Sequence, residues 1–431
     1  MEKALKTATG TEIFAGITTF MTMSYIIFAN PHILAAAGVP LAAAQSATCL
    51  GAGLACILMA VVARYPFALA PGMGLNAFLA FTVVKGMGLP WQTGMAVIFV
   101  EGLIITLLVI MGLRNWIMTA LPLSLKHAIG LAIGLFIAFI GLKQGGIIVP
   151  DPDTSVAMGD LGKPDAIVAI AGLVVTFALL AWRVPGALLI GIAVATVLAD
   201  WQFGLARLPA SAGAVFAPPD FSTVGAFMPH LKDVFTPALV PVLFAFLLTD
   251  FFDTMGTVIA VGSQAGFVDR KGGMPRLGNV LIVDSLAAAL GGAVGSSSIT
   301  TYIESASGVA AGGRRGTTAM AVGILFLVAL FLTPLAAAVP ACAVAPALVA
   351  VGFMMMGSVA KVKWTSLEEG VPAFLTLLIT PLSFSISAGV GWGVLAYVLI
   401  RVLRGKLREV HPVLWVTAAV FALAFSPLVP K

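Results

Sequence analysis

Ala70-Pro71-Gly72-Met73-Gly74-Leu75-Asn76 interrupts an apolar stretch in the first half of the chain, and Gly295-Ser296-Ser297-Ser298-Ile299-Thr300-Thr301 interrupts one in the second. Pro removes a backbone donor, Gly relaxes the helix and Ser competes for its hydrogen bonds, so neither stretch continues as a regular helix. Around them the sequence reads as membrane spans at about 13–29, 43–63, 67–84, 92–113, 126–142, 165–182 and 186–201, then 237–262, 277–294, 298–311, 317–338, 345–358, 369–387 and 388–404. A loop of roughly 35 residues separates the two groups. Seven spans per half is an odd number, so the halves run in opposite orientation and each carries its interruption in its third span. Broken spans at matching positions of two inverted halves point to a ligand site near the middle of the membrane.

The composition supports that frame. Of 431 residues, 60% are hydrophobic and 10% are charged, and the mean hydropathy is +1.09. A soluble domain carries about 25% charged residues, so a water-soluble globule is excluded. The 46 Gly and 25 Pro are scattered among apolar runs, which excludes collagen-like and disordered chains. A span needs about 20 apolar residues to cross roughly 30 Å of hydrocarbon. The fold class read here is all-α and polytopic, with 14 spans as two inverted seven-helix repeats. The apolar stretch 411–428 is either a further span or a docked helix.

Net charge is +5, from 23 Lys and Arg against 18 Asp and Glu. A basic balance can signal nucleic acid, but here the cations lie between hydrophobic segments. With the N-terminus inside, 17 fall on the cytoplasmic side, among them Lys126, Arg314, Lys361 and Arg401, and five fall outside: Lys85, Lys143, Lys163, Arg207 and Lys232. That asymmetry follows the positive-inside rule and places an integral, multi-pass protein in the cytoplasmic membrane. Trp91, Trp116, Trp182, Trp201 and Trp364 fall near span ends as interfacial anchors. Cys49, Cys56 and Cys342 read as small core residues.

Five acids lie within spans: Glu101, Asp250, Asp253, Asp284 and Glu304. An ionisable group at that depth faces protein or water, and no cation sits in the spans to pair with these. Glu304 follows the second interruption, where a carboxylate can take two adjacent N–H donors of a flat heterocycle. Asp250 and Asp253 are i,i+3 on one helix face, and Thr257 follows Asp253 by one turn. The substrate-binding residues read from this pattern are Glu304, Asp253, Asn76, Thr301, Gly74, Thr257 and Phe252. Asn76 offers an amide donor and acceptor or a helix cap. Phe252 offers a stacking face. The proton-coupling candidates are Asp253, Glu304, Asp250 and Asp284, because a desolvated carboxyl group takes up a proton more readily. Asp284 and Glu101 sit beside small residues and read more as links between helices. Thr18, Thr19 and Thr22 share a face of the first span.

Other chemistry is missing from the sequence. It has no GxxxxGK[ST] phosphate loop, HExxH, CxxC or GxSxG, and His32, His127, His230 and His411 are dispersed. No enzyme, resident cofactor or metal site is expected.

Four stretches carry a resemblance. Ala15 to Pro31 (AGITTFMTMSYIIFANP), Ala70 to Phe78 (APGMGLNAF), Asp250 to Thr257 (DFFDTMGT) and Thr300 to Val309 (TTYIESASGV), followed by Gly312-Gly313-Arg314, resemble the AzgA-like purine permeases of the nucleobase–ascorbate transporter (nucleobase:cation symporter-2) superfamily. The resemblance covers essentially the whole chain, although Arg315 departs from the more usual Thr after Gly-Gly-Arg. It implies proton-coupled uptake of hypoxanthine, guanine or adenine by alternating access. The partners implied are a purine nucleobase, a proton and membrane lipid, with no nucleic acid, and a homodimer formed through the gate domain. The implied core domain is residues 1–113 and 236–340 (spans 1–4 and 8–11); the gate domain is 114–235 and 341–431. Glu304 matches the family's carboxylate on the tenth span and Asp253 the carboxylate position on the eighth. An anion transporter of the same architecture and a sodium-coupled nucleobase symporter are the competing readings.

Overall fold

Residues 70 and 300 face each other across the middle of the protein. In the computed structural model, which describes residues 8–112, 122–206, 215–268 and 274–425, the two interruptions form strands β1 (Leu69–Pro71) and β4 (Ile299–Thr301), and these pair antiparallel with Ala70 opposite Thr300. Backbone polar groups at membrane depth must find partners within the protein. Three-residue strands satisfy few of them alone, and the flanking bonds supply the rest. Gly72 N donates to Ser298 O at 2.8 Å and Tyr302 N to Ala68 O at 2.9 Å. The Ser305 hydroxyl accepts from Ala68 N at 2.9 Å.

The remaining spans are helices. In chain order they are α1 (Thr9–Met23), α2 (Ile26–Ala35), α3 (Leu41–Leu58), α4 (Met73–Ala77), α5 (Trp91–Ile110), α6 (Leu123–Gln144), α7 (Pro164–Ala181) and α8 (Ala187–Phe203) in the first half. The second half holds α9 (Val240–Gln264), α10 (Leu277–Val294), α11 (Ser305–Ala310), α12 (Gly316–Ala329), α13 (Thr333–Ala338), α14 (Ala341–Met355), α15 (Leu367–Leu382) and α16 (Ile386–Leu403), followed by α17 (Pro412–Phe425). Each of the 14 segments read from the sequence falls on one or more of these elements. Among the described residues, nine helices are long and apolar enough to cross a membrane. The shorter ones include the helices that follow the two strands. Over its described residues α17 packs against α16 and α9. Lys3, Lys6, Arg114, Trp116, Arg207, Arg270 and Lys271 lie outside the described residues.

Two boundaries differ from the sequence reading. The first span starts at Thr9, not near 13, which draws Glu12 inside. Fully buried, Glu12 accepts from Arg314 N, Arg315 N and the Thr318 hydroxyl, at the start of α12. A carboxylate there meets the free N–H groups and positive dipole end of that helix. Between α6 and α7, a segment read simply as a loop forms a hairpin of β2 (Ile148–Asp151) and β3 (Ser155–Met158). Its turn is closed by Asp151, which accepts from Thr154 N at 2.8 Å and Asp153 N at 2.9 Å. Those donors hold the Asp151 carboxyl below its ordinary range.

The helices sort into two packing groups. Helices α1, α3, α5, α10 and α12 pack mainly on one another, and α6, α7, α8, α14, α15 and α16 do the same. Without a hydrophobic drive between helices in lipid, close backbone approach at small residues supplies the contact. At the α5–α10 crossing a Cβ on Gly102 would sit 2.4 Å from Ala289 N, and one on Gly292 would sit 2.7 Å from Phe99 N. Gly102→Leu is therefore expected to push α5 off α10 and cost about 1–3 kcal/mol or more. A melting temperature in detergent equal to that of the parent protein would contradict this packing.

Candidate functional site

A cavity of about 630 Å³ lies between the two packing groups, within the range of small-molecule sites. Its polar wall is built mainly by α9. That helix presents Thr249, Asp253 and Thr257 at i, i+4 and i+8, one stripe along the cavity. Gly256 leaves the stripe open beside Asp253. The Asp253 side chain is exposed to this space. Thr249 lines the cavity, and its buried hydroxyl has no hydrogen-bond partner among the described residues.

Glu304 stands at the start of α11, just beyond β4, and lines the same cavity. The Tyr25 hydroxyl donates to its Oε1 at 2.9 Å. Asp253 and Glu304 line this cavity together. Ser307 bonds back to the Glu304 carbonyl at 2.7 Å and meets the Thr22 hydroxyl at 2.9 Å, and Thr22 and Ser307 both face the cavity. The opposite wall is apolar, formed by Ile129, Ile133, Leu188, Val351 and Met355. Lys126, His127 and Lys361 complete the lining. A cavity with two carboxylates on one side and aliphatic groups on the other suits a molecule that joins N–H donors to an apolar face.

Of the residues singled out in the sequence, Glu304, Asp253 and Thr257 come together here. Asn76, Thr301 and Gly74 do not line the cavity. Asn76 is fully buried and donates to Asn30 Oδ1 at 2.5 Å, while Asn30 donates to Ser296 O at 3.0 Å. This amide chain ties the two interrupted segments to α2. Thr301 donates to Asp284 Oδ1 through its backbone N at 2.8 Å and its hydroxyl at 2.7 Å. Gly74 brings the start of α4 against Ile133, where a Cβ would sit 2.2 Å from the isoleucine Cγ2. The side chain of Phe252 lies outside the described residues. Asp284 does not line the cavity, and Thr254 and Thr301 donate to it. Asp250 does not line it either and faces α5.

Sequence reasoning missed Tyr25, Thr249, Ser307, Lys126, His127 and Lys361. A tyrosine in the middle of the first span is the one signal that could have drawn attention to Tyr25, because a buried phenol needs an acceptor. The lysines and His127 read as ordinary span ends, and nothing local says that their helix ends border a cavity.

Comparison with known proteins settles the family. Residues 10–392 match the family model Xan_ur_permease, described as Permease family. This chain belongs to the Permease family. Members of this family are transporters and not enzymes, and the chain is accordingly an integral membrane transporter. Two relatives match over nearly the full length of the permease. Adenine permease AdeP of Escherichia coli (strain K12) is 44% identical, covering 97% of this chain and 93% of its own. Guanine/hypoxanthine permease PbuG of Bacillus subtilis (strain 168) is 42% identical, covering 98% and 97%. These relatives bear out the resemblance carried by the four motifs. Among solved structures, the transmembrane domain of a cyanobacterium bicarbonate transporter, BicA, superposes with a TM-score of 0.65 at 13% identity, covering 88% of the permease and 97% of that chain. That likeness establishes a shared fold and leaves the substrate open.

Proposed function

We propose that this permease carries purine nucleobases into the cell, coupled to protons, by alternating access. The observation that carries the reading is the juxtaposition of Glu304 and Asp253 on one wall of a cavity whose other wall is aliphatic. A neutral purine offers ring N–H donors on its edge and two apolar faces. Carboxylates accept those donors strongly, and the aliphatic wall covers a face. AdeP and PbuG are named for different purines, yet match this chain at 44% and 42%. The shared feature is the purine ring itself, and we assign the substrate at that level. Two acids at the site argue against an anion as cargo.

In this reading the core domain is residues 1–113 and 236–340, and the gate domain is 114–235 and 341–431. The base lies in the cavity between spans 1, 8 and 10 of the core and spans 5, 7 and 12 of the gate; span 3, expected from the sequence to touch it, does not line this cavity. The core then moves against the gate and releases the base on the other side. Lys126 and Lys361 line the cavity and belong to the basic, cytoplasmic side under the positive-inside rule. The conformation described here is then the inward-facing one, with the N-terminus inside. A homodimer through the gate domain belongs to the same reading.

With no ATP-binding loop in the sequence, an ion gradient must drive accumulation. Counterflow of radiolabelled hypoxanthine and adenine in proteoliposomes tests the substrate class; absence of counterflow for every purine overturns it. Accumulation is expected to rise with outside acidity, to collapse with a protonophore and to ignore sodium. Each proton moved with a neutral base carries one charge, worth about 2.3 kcal/mol per 100 mV, so uptake should be electrogenic. Accumulation that survives a protonophore and follows sodium would replace the proton by sodium and leave the purine reading intact.

A further inference from the structure

On the side of α9 away from the cavity, two acids meet with no donor to separate them. Glu101 of α5 is 0% exposed and Asp250 of α9 is 1% exposed. Ile105, one turn along α5 from Glu101 and on the same face, borders one small void together with Asp250, so the two acids meet across the α5–α9 contact. Both Glu101 oxygens and Asp250 Oδ1 lack a hydrogen-bond donor among the described residues. The other titratable groups acting on the pair are Asp284 of α10 and Asp253 of α9, both acids, and among the described residues no cation acts on it. Asp284 is satisfied as a carboxylate by its three donors from Thr301 and Thr254. Glu101 and Asp250 have no such supply. Two facing carboxylates repel, and a single proton shared between them turns the repulsion into an O–H to carboxylate bond.

We propose that Glu101 and Asp250 together form the binding site of the coupled proton. This rests on the proton-coupled reading above. The step is one proton bound between two carboxyl groups, which leaves the pair with one negative charge; release returns two. Asp250 is one helical turn from Asp253, so α9 carries both the wall that meets the base and one half of the proton pair. A shift of α9 against α5 on base binding separates or closes the pair and thereby changes its hold on the proton. A void of about 10 Å³ bordered by Asp250, Thr254, Asp284 and four apolar side chains has room for about one water beside the pair. Glu101, which the sequence suggests is a helix link, becomes a proton ligand.

Glu101→Gln is the decisive variant, because its amide supplies permanently the donor that the proton supplies in the parent. It should keep hypoxanthine counterflow. Acid-driven accumulation should fall to the equilibrium level, the uptake current should vanish, and the infrared carbonyl band of the shared carboxylic acid should be lost. Asp250→Asn should do the same. A purely structural pair predicts parent-like, pH-dependent accumulation in Glu101→Gln, and that result overturns the proposal. Should neither variant reach the membrane, the parent protein decides: no protonated carboxylic acid band near neutral pH overturns the pair as a proton site. A parent protein that shows no proton-driven uptake at all refutes the coupling reading instead, which is a distinct outcome.

Discussion

Glu304→Ala is expected to abolish purine uptake while the protein still reaches the membrane. Glu304 is the carboxylate at the junction of β4 and α11, and it is held for the cavity by the Tyr25 hydroxyl. Hydrogen bonds to a charged group are worth about 1.5–3 kcal/mol each. Losing two of them to a bound base would weaken binding by roughly a hundredfold or more. Alanine also strands the Tyr25 hydroxyl, which is almost fully buried, so part of the loss could be structural. Glu304→Gln separates the two effects. Its amide oxygen still accepts from Tyr25 and its volume is unchanged, but the negative acceptor is gone. We expect the glutamine variant to fold as the parent does and to lose at least tenfold in hypoxanthine affinity. Parent-like affinity in either variant would remove Glu304 from the site.

Asp253→Asn is expected to fold and to lose most transport, through the same chemistry on the same wall. An amide is a weaker acceptor for a ring N–H and cannot hold a proton. The Asp253 side chain is open to the cavity and makes no hydrogen bond or ion pair among the described residues. Its signature should differ from that of Glu101→Gln. The asparagine variant should raise the concentration of purine needed for counterflow by about tenfold or more, as for loss of one hydrogen bond to a charged group. The residual uptake should keep its response to outside pH. Glu101→Gln should keep the concentration dependence and lose the pH response. If Asp253→Asn instead leaves affinity intact and flattens the pH profile, the coupled proton belongs to Asp253 and not to the pair behind it.

The span count, the inverted halves and the positions of the two interruptions follow from local chemistry. Hydrocarbon thickness sets the length of each apolar run, loop cations set its direction, and the Pro and Gly of Ala70–Asn76 break a helix wherever that helix happens to be packed. Five acids in spans are likewise visible without a structure, because their cost in lipid depends on depth and not on the neighbour. What each acid does is a matter of its neighbour, and neighbours come from far along the chain. Asp250 and Asp253 are three residues apart and look alike in sequence. One opens to the cavity and the other meets Glu101, because α5 covers that side of α9. Tyr25 and Glu304 are brought together across 279 positions. Thr301 and Asn76 read as ligands because they stand in the broken segments. The fold spends them on Asp284 and Asn30 instead, since unpaired backbone and amide groups at membrane depth must be satisfied by protein first. The sequence therefore determined the kind of molecule and the level of its site. Only the packing of one inverted half into the other decided which polar groups were left over for a ligand.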